Sequence, residues 1–264
     1  MLSAVKDMRV SGKRDRPLVV SGPPGLAQIL VEDLRRGGVP AAVREQGPLE
    51  AAAALLAVLA GPPTADDEHL LGEASRKRIP IVAVVPSAAG VSGHVPYVLD
   101  ENVVRIGGGE GFPLEKIAQR LAGSLGEAAT PLAARLPVLR PAVCEELIRR
   151  FSRRNGVIGV AVFVPGADLP ILTLNQIRLV LLIADAYGFE IDRERIPEVV
   201  AVIGSGLGFR ALARRSIRLV PFVGWAVNGG IAYAGTRAVG DAAVRYFERR
   251  TPVAKVAGER VRFP

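Results

Sequence analysis

The feature that most constrains the fold is an alternation of short apolar runs with amphipathic segments along residues 1–126. The apolar runs are too short for buried helices and are typical of buried strands, whereas the segments between them carry apolar residues at helical spacing. Because strands that alternate with helices pair in parallel, the pattern predicts an α/β domain with a doubly wound, mostly parallel sheet. The predicted strands are residues 17–20, 41–43, 55–59, 81–85 and 103–106, and the predicted helices are 26–34, 66–77 and 113–125.

The order of turns in residues 1–126 resembles that of the P-loop GTPases. A predicted strand leads into GPPGLAQIL, where such proteins place the phosphate loop, and VVRIGGGEGFPLEKIAQRL resembles their last strand, glycine-rich turn and closing helix. A working phosphate loop reads G-x-x-x-x-G-K-[ST], because the lysine neutralises phosphate charge and the hydroxyl holds magnesium. Counted from Gly22, the last three places hold Ala27, Gln28 and Ile29. The resemblance therefore implies a degenerate GTPase-like domain.

Two further nucleotide elements are missing from this domain. Residues 55–59 are followed by Ala60 and not by a magnesium-binding aspartate, and Asp66 and Asp67 are predicted to cap the next helix. Where guanine recognition needs an N-K-x-D turn, residues 86–89 read PSAA. We therefore expect no GTP hydrolysis.

A weak anion site on backbone N–H groups is the only nucleotide feature that the first turn still offers. Its candidate residues are Gly22 and Gly25, which precede a predicted helix. The alternative is an ordinary strand-to-helix turn that binds nothing.

Few side chains suited to catalysis or metal binding occur in the chain. A single cysteine excludes a disulfide scaffold, and with only two histidines it forms no zinc-binding cluster. His69 and His94 lie in no recognisable nucleophile motif. Cys144 lies at helical spacing with Leu147, which predicts a packed core thiol. We predict no catalytic residue, no metal site and no cofactor.

The net positive charge of the chain lies entirely in its second half. Residues 1–126 contain 14 Lys+Arg and 14 Asp+Glu, so residues 127–264, with the remaining 20 and 12, hold the whole net charge of +8. This asymmetry predicts two domains, 1–126 and 127–264, with an anionic partner surface beside the second. Scattered solvated arginines are the alternative. Aromatic residues make up 5% of the chain and are not interleaved with the arginines, which disfavours nucleic acid as a partner.

Residues 127–264 are predicted to form an all-α helical domain. A proline-containing linker is expected at 124–141, followed by helices at 142–154, at 169–187, from Asp192 and over the last segment. The helix at 169–187 is apolar nearly all round, which is typical of burial in a core or at a membrane interface.

The last helical segment carries a stripe of small residues that recur every four positions. Such a stripe lets another helix approach closely. We predict that this stripe, with one neighbouring tryptophan, packs against a helix or faces a membrane: Trp225, Ala226, Gly230, Ala234, Ala238 and Ala242.

Two stretches of the second half approach the length and apolarity of a membrane span. Residues 219–236 contain no charge but include glycines, Pro221 and Asn228, and residues 169–184 contain Arg178. Neither is expected to insert alone. The flanking arginines are predicted to contact an anionic surface, and a soluble helical core stays open as the alternative. These arginines are Arg210, Arg214, Arg215, Arg218 and Arg237.

The second half also resembles a family known as domain of unknown function 697. The similarity lies in VPGADLPILTLNQIRLVLLIADAYG and LVPFVGWAVNGGIAYAGTRAVGDAAVRYFERR and covers most of residues 140–250. The resemblance implies a helical module attached to a GTPase-like domain and frequently associated with a membrane. It implies no reaction.

These observations favour a non-catalytic binding or scaffold protein. Its helical half is expected to meet an anionic membrane surface, a protein partner or a second copy. No basic stretch precedes an apolar run at the start of the chain, so we expect no secretory signal and a cytoplasmic location, peripheral at the inner face of the cell membrane. The alternative function is a nucleotide-dependent regulatory switch of the Era-like type with atypical nucleotide binding.

Overall fold

The chain divides into two compact units, and the division falls between Val143 and Cys144. A computed structural model of the chain describes residues 15–87, 94–107, 109, 111–161, 169–191, 196, 199, 224–251, 261 and 262. The sequence predicts the boundary after residue 126, and the structure places it later because the expected linker packs with the first unit.

The first unit is built on a five-stranded sheet in which every neighbouring pair of strands is parallel. The order across the sheet is β2-β1-β3-β4-β5, so the parallel α/β prediction is confirmed. β2 begins later than predicted because Pro40–Ala42 form a 3-10 turn. The strands are β1 (Leu18–Ser21), β2 (Val43–Glu45), β3 (Ala54–Val58), β4 (Ile81–Pro86) and β5 (Val103–Ile106).

Three helices of the first unit accompany the sheet, as predicted: α1 (Pro24–Arg35), α2 (Ala65–Arg76) and α3 (Leu114–Leu125). Leu71 and Ala74 of α2 belong to a buried cluster with the odd-numbered residues of β1, β3 and β4. The even-numbered residues of the same strands are buried as well, so both faces of the sheet are covered. They include Leu18, Val20, Leu56, Val58, Val82 and Val84.

The expected linker is ordered structure. It contains a 3-10 turn (Gly126–Ala129), helix α4 (Thr130–Arg135) and a second 3-10 turn (Pro137–Leu139). The guanidinium of Arg135 donates to the backbone carbonyls of Asp15 and Arg16 at 3.1 and 2.6 Å. The N–H of Val39 donates to the carbonyl of Arg135 at 2.8 Å. These contacts tie the segment to the first unit.

The second unit contains most of helix α5 (Arg140–Ala161), helix α6 (Leu169–Ala186) and helix α7 (Gly224–Arg250). It is not purely helical, because β6 (Phe189–Glu190) pairs in parallel with β7 (Val261–Arg262). The ring of Phe189 lies 5.4 Å from that of the buried Phe247, which joins this small sheet to α7. The helix predicted from Asp192 lies largely outside the described residues.

The turn after β1 requires glycine at position 22. Gly22 has φ +145°, and a Cβ there would lie 2.5 Å from the carbonyl oxygen of Val58 in the neighbouring strand. No described atom lies within 4 Å of a Cβ placed on Gly25, which is already in the first turn of α1.

Gly22→Ala is therefore expected to destabilise the first unit by about 2–4 kcal/mol, from backbone strain and overpacking. Gly25→Ala, the matched control, should be neutral or stabilise α1 by up to about 1 kcal/mol. Urea unfolding followed by circular dichroism measures both. Equal effects of the two substitutions would contradict the tight contact at Val58.

Candidate functional site

The first place to seek a site in the α/β unit is the carboxyl edge of the sheet between β1 and β3. The chain passes from β1 outward to β2 and then returns to β3 on the other side of β1, and ligands bind parallel sheets at such reversals. Two Gly-Pro-Pro turns lie there, one beginning at Gly22 and one at Gly61. Gly22 is packed against Val58, so the backbone itself fills this point of the edge.

The turn after β1 has few backbone donors for an anion. Pro23 and Pro24 have no N–H, and the N–H groups of Leu26 and Ala27 both donate to the Pro23 carbonyl, at 3.0 and 2.9 Å. Gln28, at the position of the phosphate-loop lysine, is exposed and donates to Glu32 at 3.1 Å. The geometry around Gly22 and Gly25 therefore favours the strand-to-helix turn over an anion site.

The acids that follow β3 serve the start of helix α2. Thr64 is the N-cap: its hydroxyl accepts the N–H of Asp67 at 3.2 Å, and its own N–H donates to the Asp67 carboxylate at 2.9 Å. The sequence predicts Asp66 and Asp67 as capping residues, and the structure assigns the cap to Thr64 with Asp67 as its reciprocal partner. Among the described residues, no group of three or more His, Cys, Asp or Glu could hold a metal ion.

The two histidines and the cysteine considered for catalysis differ in burial and lie on different parts of the chain. His69 is exposed on α2, and His94 is exposed with its Nδ1 3.6 Å from Asp100. Cys144 is buried in α5, as the sequence predicts for a core thiol. Because the two histidines are exposed and Cys144 is buried, these three side chains do not form a nucleophile–base pair.

The second unit holds three helices whose mutual direction follows from their contacts. α5 and α7 are antiparallel, because Gly240 lies against Ile148 whereas Gly229 lies against Val160. α6 and α7 run the same way: Gln176 reaches Thr236 at 3.4 Å, and Leu179 lies beside Gly240. The C-terminus of α5 and the N-termini of α6 and α7 therefore meet at one end of the unit.

Just behind this end, a chain of buried hydrogen bonds crosses all three helices. The amide of Asn175 donates to Asn155 at 2.7 Å, and the amide of Asn155 donates to the hydroxyl of Thr236 at 2.8 Å. Thr236 in turn donates to the carbonyl of Ala232 at 2.8 Å. Asn155 and Thr236 are fully buried, so a polar group left there without a hydrogen-bond partner would destabilise the fold by its full desolvation cost. We call these three side chains the polar layer.

The closest helix contacts do not use the predicted stripe of small residues. Gly230 and Ala234 are exposed, Ala238 and Ala242 are half-buried, and the side chains of Trp225 and Ala226 lie outside the described set. In the described part of α7 the buried glycines are Gly229, about 100° around the helix from Gly230, and Gly240, about 160° around the helix from Ala238 and Ala242. The closest described contacts between α5 and α7 therefore use another face of α7, and packing against a partner helix or a membrane stays a prediction for the stripe.

Glycine is required at the buried contact itself. A Cβ on Gly229 would clash with Val160 and lie 2.9 Å from the carbonyl oxygen of Gly156. A Cβ on Gly240 would lie 2.5 Å from Ile148. Two helices with ordinary side chains at these points could not approach this closely.

Large apolar side chains are exposed where the three helices meet, which the sequence reasoning did not identify. Val157 on α5 is 68% exposed and Leu174 on α6 is 66% exposed. We call the exposed apolar residues at these positions the apolar end. In the sequence, each of the three helices has an apolar residue one helical turn from an arginine, and this pattern could have revealed them. The members of the apolar end are Val157, Val160, Ile171, Leu174 and Tyr233.

The arginines of the second unit differ in how they are bound. Arg153 and Arg154 are exposed one turn before Val157. Arg237 forms an ion pair with Glu145, with N–O distances of 3.0 and 3.2 Å, and this pairing raises its pKa. The other predicted surface arginines, Arg210, Arg214, Arg215 and Arg218, lie outside the described residues.

Glu146 is a buried carboxylate clamped within α5 by Arg149 and Arg150. Burial alone raises the pKa of Glu146, but hydrogen bonds from Arg150 and Arg149 outweigh burial and hold it below its ordinary value. Arg149 and Arg150 of α5 therefore form ion pairs within the chain.

Comparison with protein-family models gives no match, and no curated protein sequence matches the chain. Among the helices of the described residues, none is both long enough and apolar enough to cross a membrane.

The two adjacent glycines of α7 offer a direct test of which face of this helix packs against α5. Gly229→Ala is expected to destabilise the second unit by about 1–3 kcal/mol, because its methyl group meets Val160 and a backbone carbonyl. Gly230→Ala should stabilise α7 by up to about 1 kcal/mol, since its site is open. Thermal unfolding of the two variants gives opposite shifts; the reverse order would restore the stripe predicted from sequence.

Glu146→Gln should lower stability by about 1–2 kcal/mol at neutral pH through loss of its charge-assisted hydrogen bonds. Because the folded pKa is depressed, the wild-type advantage is complete above the unfolded pKa of about 4.3 and is lost as pH falls through the folded value. Urea titrations at neutral and acid pH measure this difference. Glu145→Gln, which breaks an exposed pair, is the control and should cost no more than about 1 kcal/mol.

Proposed function

We propose that the chain is a non-catalytic binding protein whose basic helical unit associates peripherally with an anionic membrane surface, at the inner, cytoplasmic face of the cell membrane. One observation carries the proposal: Val157, near the end of α5, and Leu174, near the start of α6, are about two-thirds exposed, with exposed arginines one turn away. Apolar side chains beside arginines are what an interfacial segment presents to anionic lipid.

The energetics support lipid as the partner of this end. Burying one Val, Leu or Ile side chain contributes about 1.5–3 kcal/mol, and each arginine near an anionic surface adds about 1 kcal/mol. The exposed parts of the five residues of the apolar end, 36–68% of each, and the pair Arg153–Arg154 support binding to such a surface.

In this proposal the first unit is a degenerate GTPase-like domain that serves as a binding platform. Its strand order, 2-1-3-4-5, is the flavodoxin-like order of doubly wound sheets, which supports a doubly wound fold, whereas the GTPase resemblance rests on the sequence motifs alone. Its turn at Gly22–Gly25 has two prolines where a phosphate cradle needs N–H groups, which supports the loss of nucleotide binding.

In this proposal the second unit belongs to the domain of unknown function 697 family. The three long helices α5, α6 and α7 agree with the helical module which that resemblance implies. The short sheet of β6 and β7 is an addition to an all-α domain.

A protein partner or a second copy of the chain is the second candidate for the helical unit. The exposed Gly230 and Ala234 favour it, because small residues on a helix surface admit another helix. Sedimentation equilibrium separates this candidate from the first: a monomer that binds vesicles supports lipid, whereas a stable dimer indifferent to vesicles supports helix pairing.

The nucleotide-dependent switch is the remaining alternative. The engaged N–H groups of Leu26 and Ala27 and the absence of a lysine at Gln28 weigh against it. Isothermal calorimetry with GTP and with ATP is expected to show no binding heat, and a saturating isotherm would favour the switch.

The membrane proposal is tested by co-sedimentation with phosphatidylglycerol-containing and neutral phosphatidylcholine vesicles over a salt series. Binding should require the anionic lipid and fade as salt screens the arginines. Arg153→Glu combined with Arg154→Glu should weaken binding by about 30-fold or more, since two cationic contacts of about 1 kcal/mol each are lost and repulsion is added.

The matched control reverses two exposed arginines of the first unit, Arg44→Glu with Arg120→Glu, and changes the net charge equally. This control should bind vesicles within about 2–3-fold of wild type, allowing for long-range electrostatics. Equal loss in the two double variants would reduce the effect to net charge. Failure of the wild-type protein to bind either vesicle would refute the proposal.

A further inference from the structure

We infer that three uncharged segments of the second unit form an inverted helix bundle, which polar groups and glycines hold together from inside and lipid acyl chains contact from outside. The segments are residues 155–161 of α5, 169–177 of α6 and 224–236 of α7, and none of them contains Asp, Glu, Lys or Arg. The inference rests on the proposed membrane association and adds the surroundings for which these helices are built.

Within the uncharged segments the usual distribution of polar and apolar side chains is reversed. Of the residues that the structure describes there, the buried ones are polar or glycine: Asn155, Asn175, Thr236, Gly159 and Gly229. The large apolar residues that are exposed on the described parts of α5, α6 and α7 all lie in the same segments, where they form the apolar end.

The remainder of the same helices follows the ordinary pattern of a protein in water. Leu147, Leu179 and Phe247 are buried there, and Arg245 and Glu248 are exposed. The reversal is therefore local to the uncharged segments. Polar groups inside and apolar groups outside is the arrangement that lipid favours, because acyl chains solvate apolar side chains and leave polar groups to bond one another.

The contacts inside the uncharged segments are of the kind that holds helices together in lipid. Helices there associate through close packing at small residues and through interhelical hydrogen bonds, since burial of apolar surface supplies no driving force. Both occur in this bundle. A Cβ on Gly229 would clash with Val160, and the amide of Asn155 donates to Thr236 while its oxygen accepts from Asn175.

Lipid fits the outside of the bundle better than a single partner helix does. Exposed apolar side chains occur on all three helices, with Val157 on α5, Leu174 on α6 and Tyr233 on α7. Acyl chains contact several helices at once, whereas one partner helix would cover one groove. Arg153 and Arg154, exposed directly before the uncharged segment of α5, add the positive charge that attracts anionic headgroups.

The test asks whether the polar layer holds α5 to α7 in lipid and is dispensable in water. The full chain carries Gly156→Cys and Tyr233→Cys, whose Cβ atoms would lie 3.4 Å apart, close to the separation found in disulfides. Cys144→Ala removes the native thiol. With the polar layer intact, mild oxidation should form the α5–α7 disulfide both in buffer and in protein sedimented with phosphatidylglycerol-containing vesicles.

The polar layer is then replaced by apolar residues of similar shape, Asn155→Leu, Asn175→Leu and Thr236→Val. In buffer the rate of disulfide formation should stay within about 2-fold, because replacing both partners of a buried hydrogen bond by apolar groups is nearly neutral. On vesicles the rate should fall by about 5-fold or more, because the interhelical bonds are lost and no hydrophobic force replaces them.

Two matched controls come from the adjacent glycines of α7. Gly229→Ala should slow the disulfide in both media, since it obstructs the helix contact itself, whereas Gly230→Ala should slow it in neither. A second measurement needs no cysteine pair. Amide hydrogen exchange of residues 229–236 should stay slow when the unmodified chain binds vesicles, and it should become faster on vesicles in the chain with the apolar layer.

The outcomes separate the inference from the proposed function. Vesicle binding with equal disulfide rates for the polar and apolar layers overturns the inverted bundle and leaves membrane association intact. Loss of the disulfide and of slow exchange on vesicles while the polar layer is present does the same. Absence of vesicle binding by the unmodified chain overturns both.

Discussion

The close approach of α5 and α7 at Gly229 is the contact on which the second unit depends. Because neither Gly229 nor Gly156 has a side chain, the two helices come close enough for Asn155 to reach Thr236 across the interface. That bond in turn fixes the amide of Asn155 so that its oxygen accepts from Asn175 of α6. These contacts also fix the positions of the apolar-end residues along the three helices, since those residues lie within a turn or two of them.

The first unit depends on an analogous constraint at a smaller scale. The backbone after β1 crosses the end of β3 with no room for a Cβ at Gly22. The prolines that follow fix the turn and lack backbone N–H groups. This edge of the sheet therefore has few donors for a phosphate, although no bulky side chain blocks it. A strand-to-helix turn of this kind supports the fold without supplying a site.

The elements of the first unit were predictable because their signals are local. Apolar runs such as 81–85 and helix signals such as the acidic start of α2 need no knowledge of distant residues, and the structure places both close to the predicted positions. The membership of 126–139 was not predictable, because it depends on Arg135 reaching carbonyls more than a hundred residues earlier in the chain.

The second unit shows where periodicity alone is insufficient. Gly229 and Gly230 are adjacent, and small residues recur on both sides of them, so the sequence cannot state which of two neighbouring faces meets α5. The choice is made by Asn155, Val160 and Ile148 on the other helix. The apolar end was missed for the same reason: Val157 and Leu174 are ordinary members of apolar stretches until three helix ends are brought together.

The pairing of β6 with β7 has a consequence for the order in which the chain matures. The sheet of the first unit is complete once Ile106 has been made and its helices by Val143, so most of that unit can form early during synthesis. The small sheet of the second unit joins Phe189–Glu190 to Val261–Arg262, separated by about seventy residues of chain. Closing so long a loop delays its formation. The helices of the second unit therefore emerge from the ribosome before their unit can close and after most of the first unit has been made.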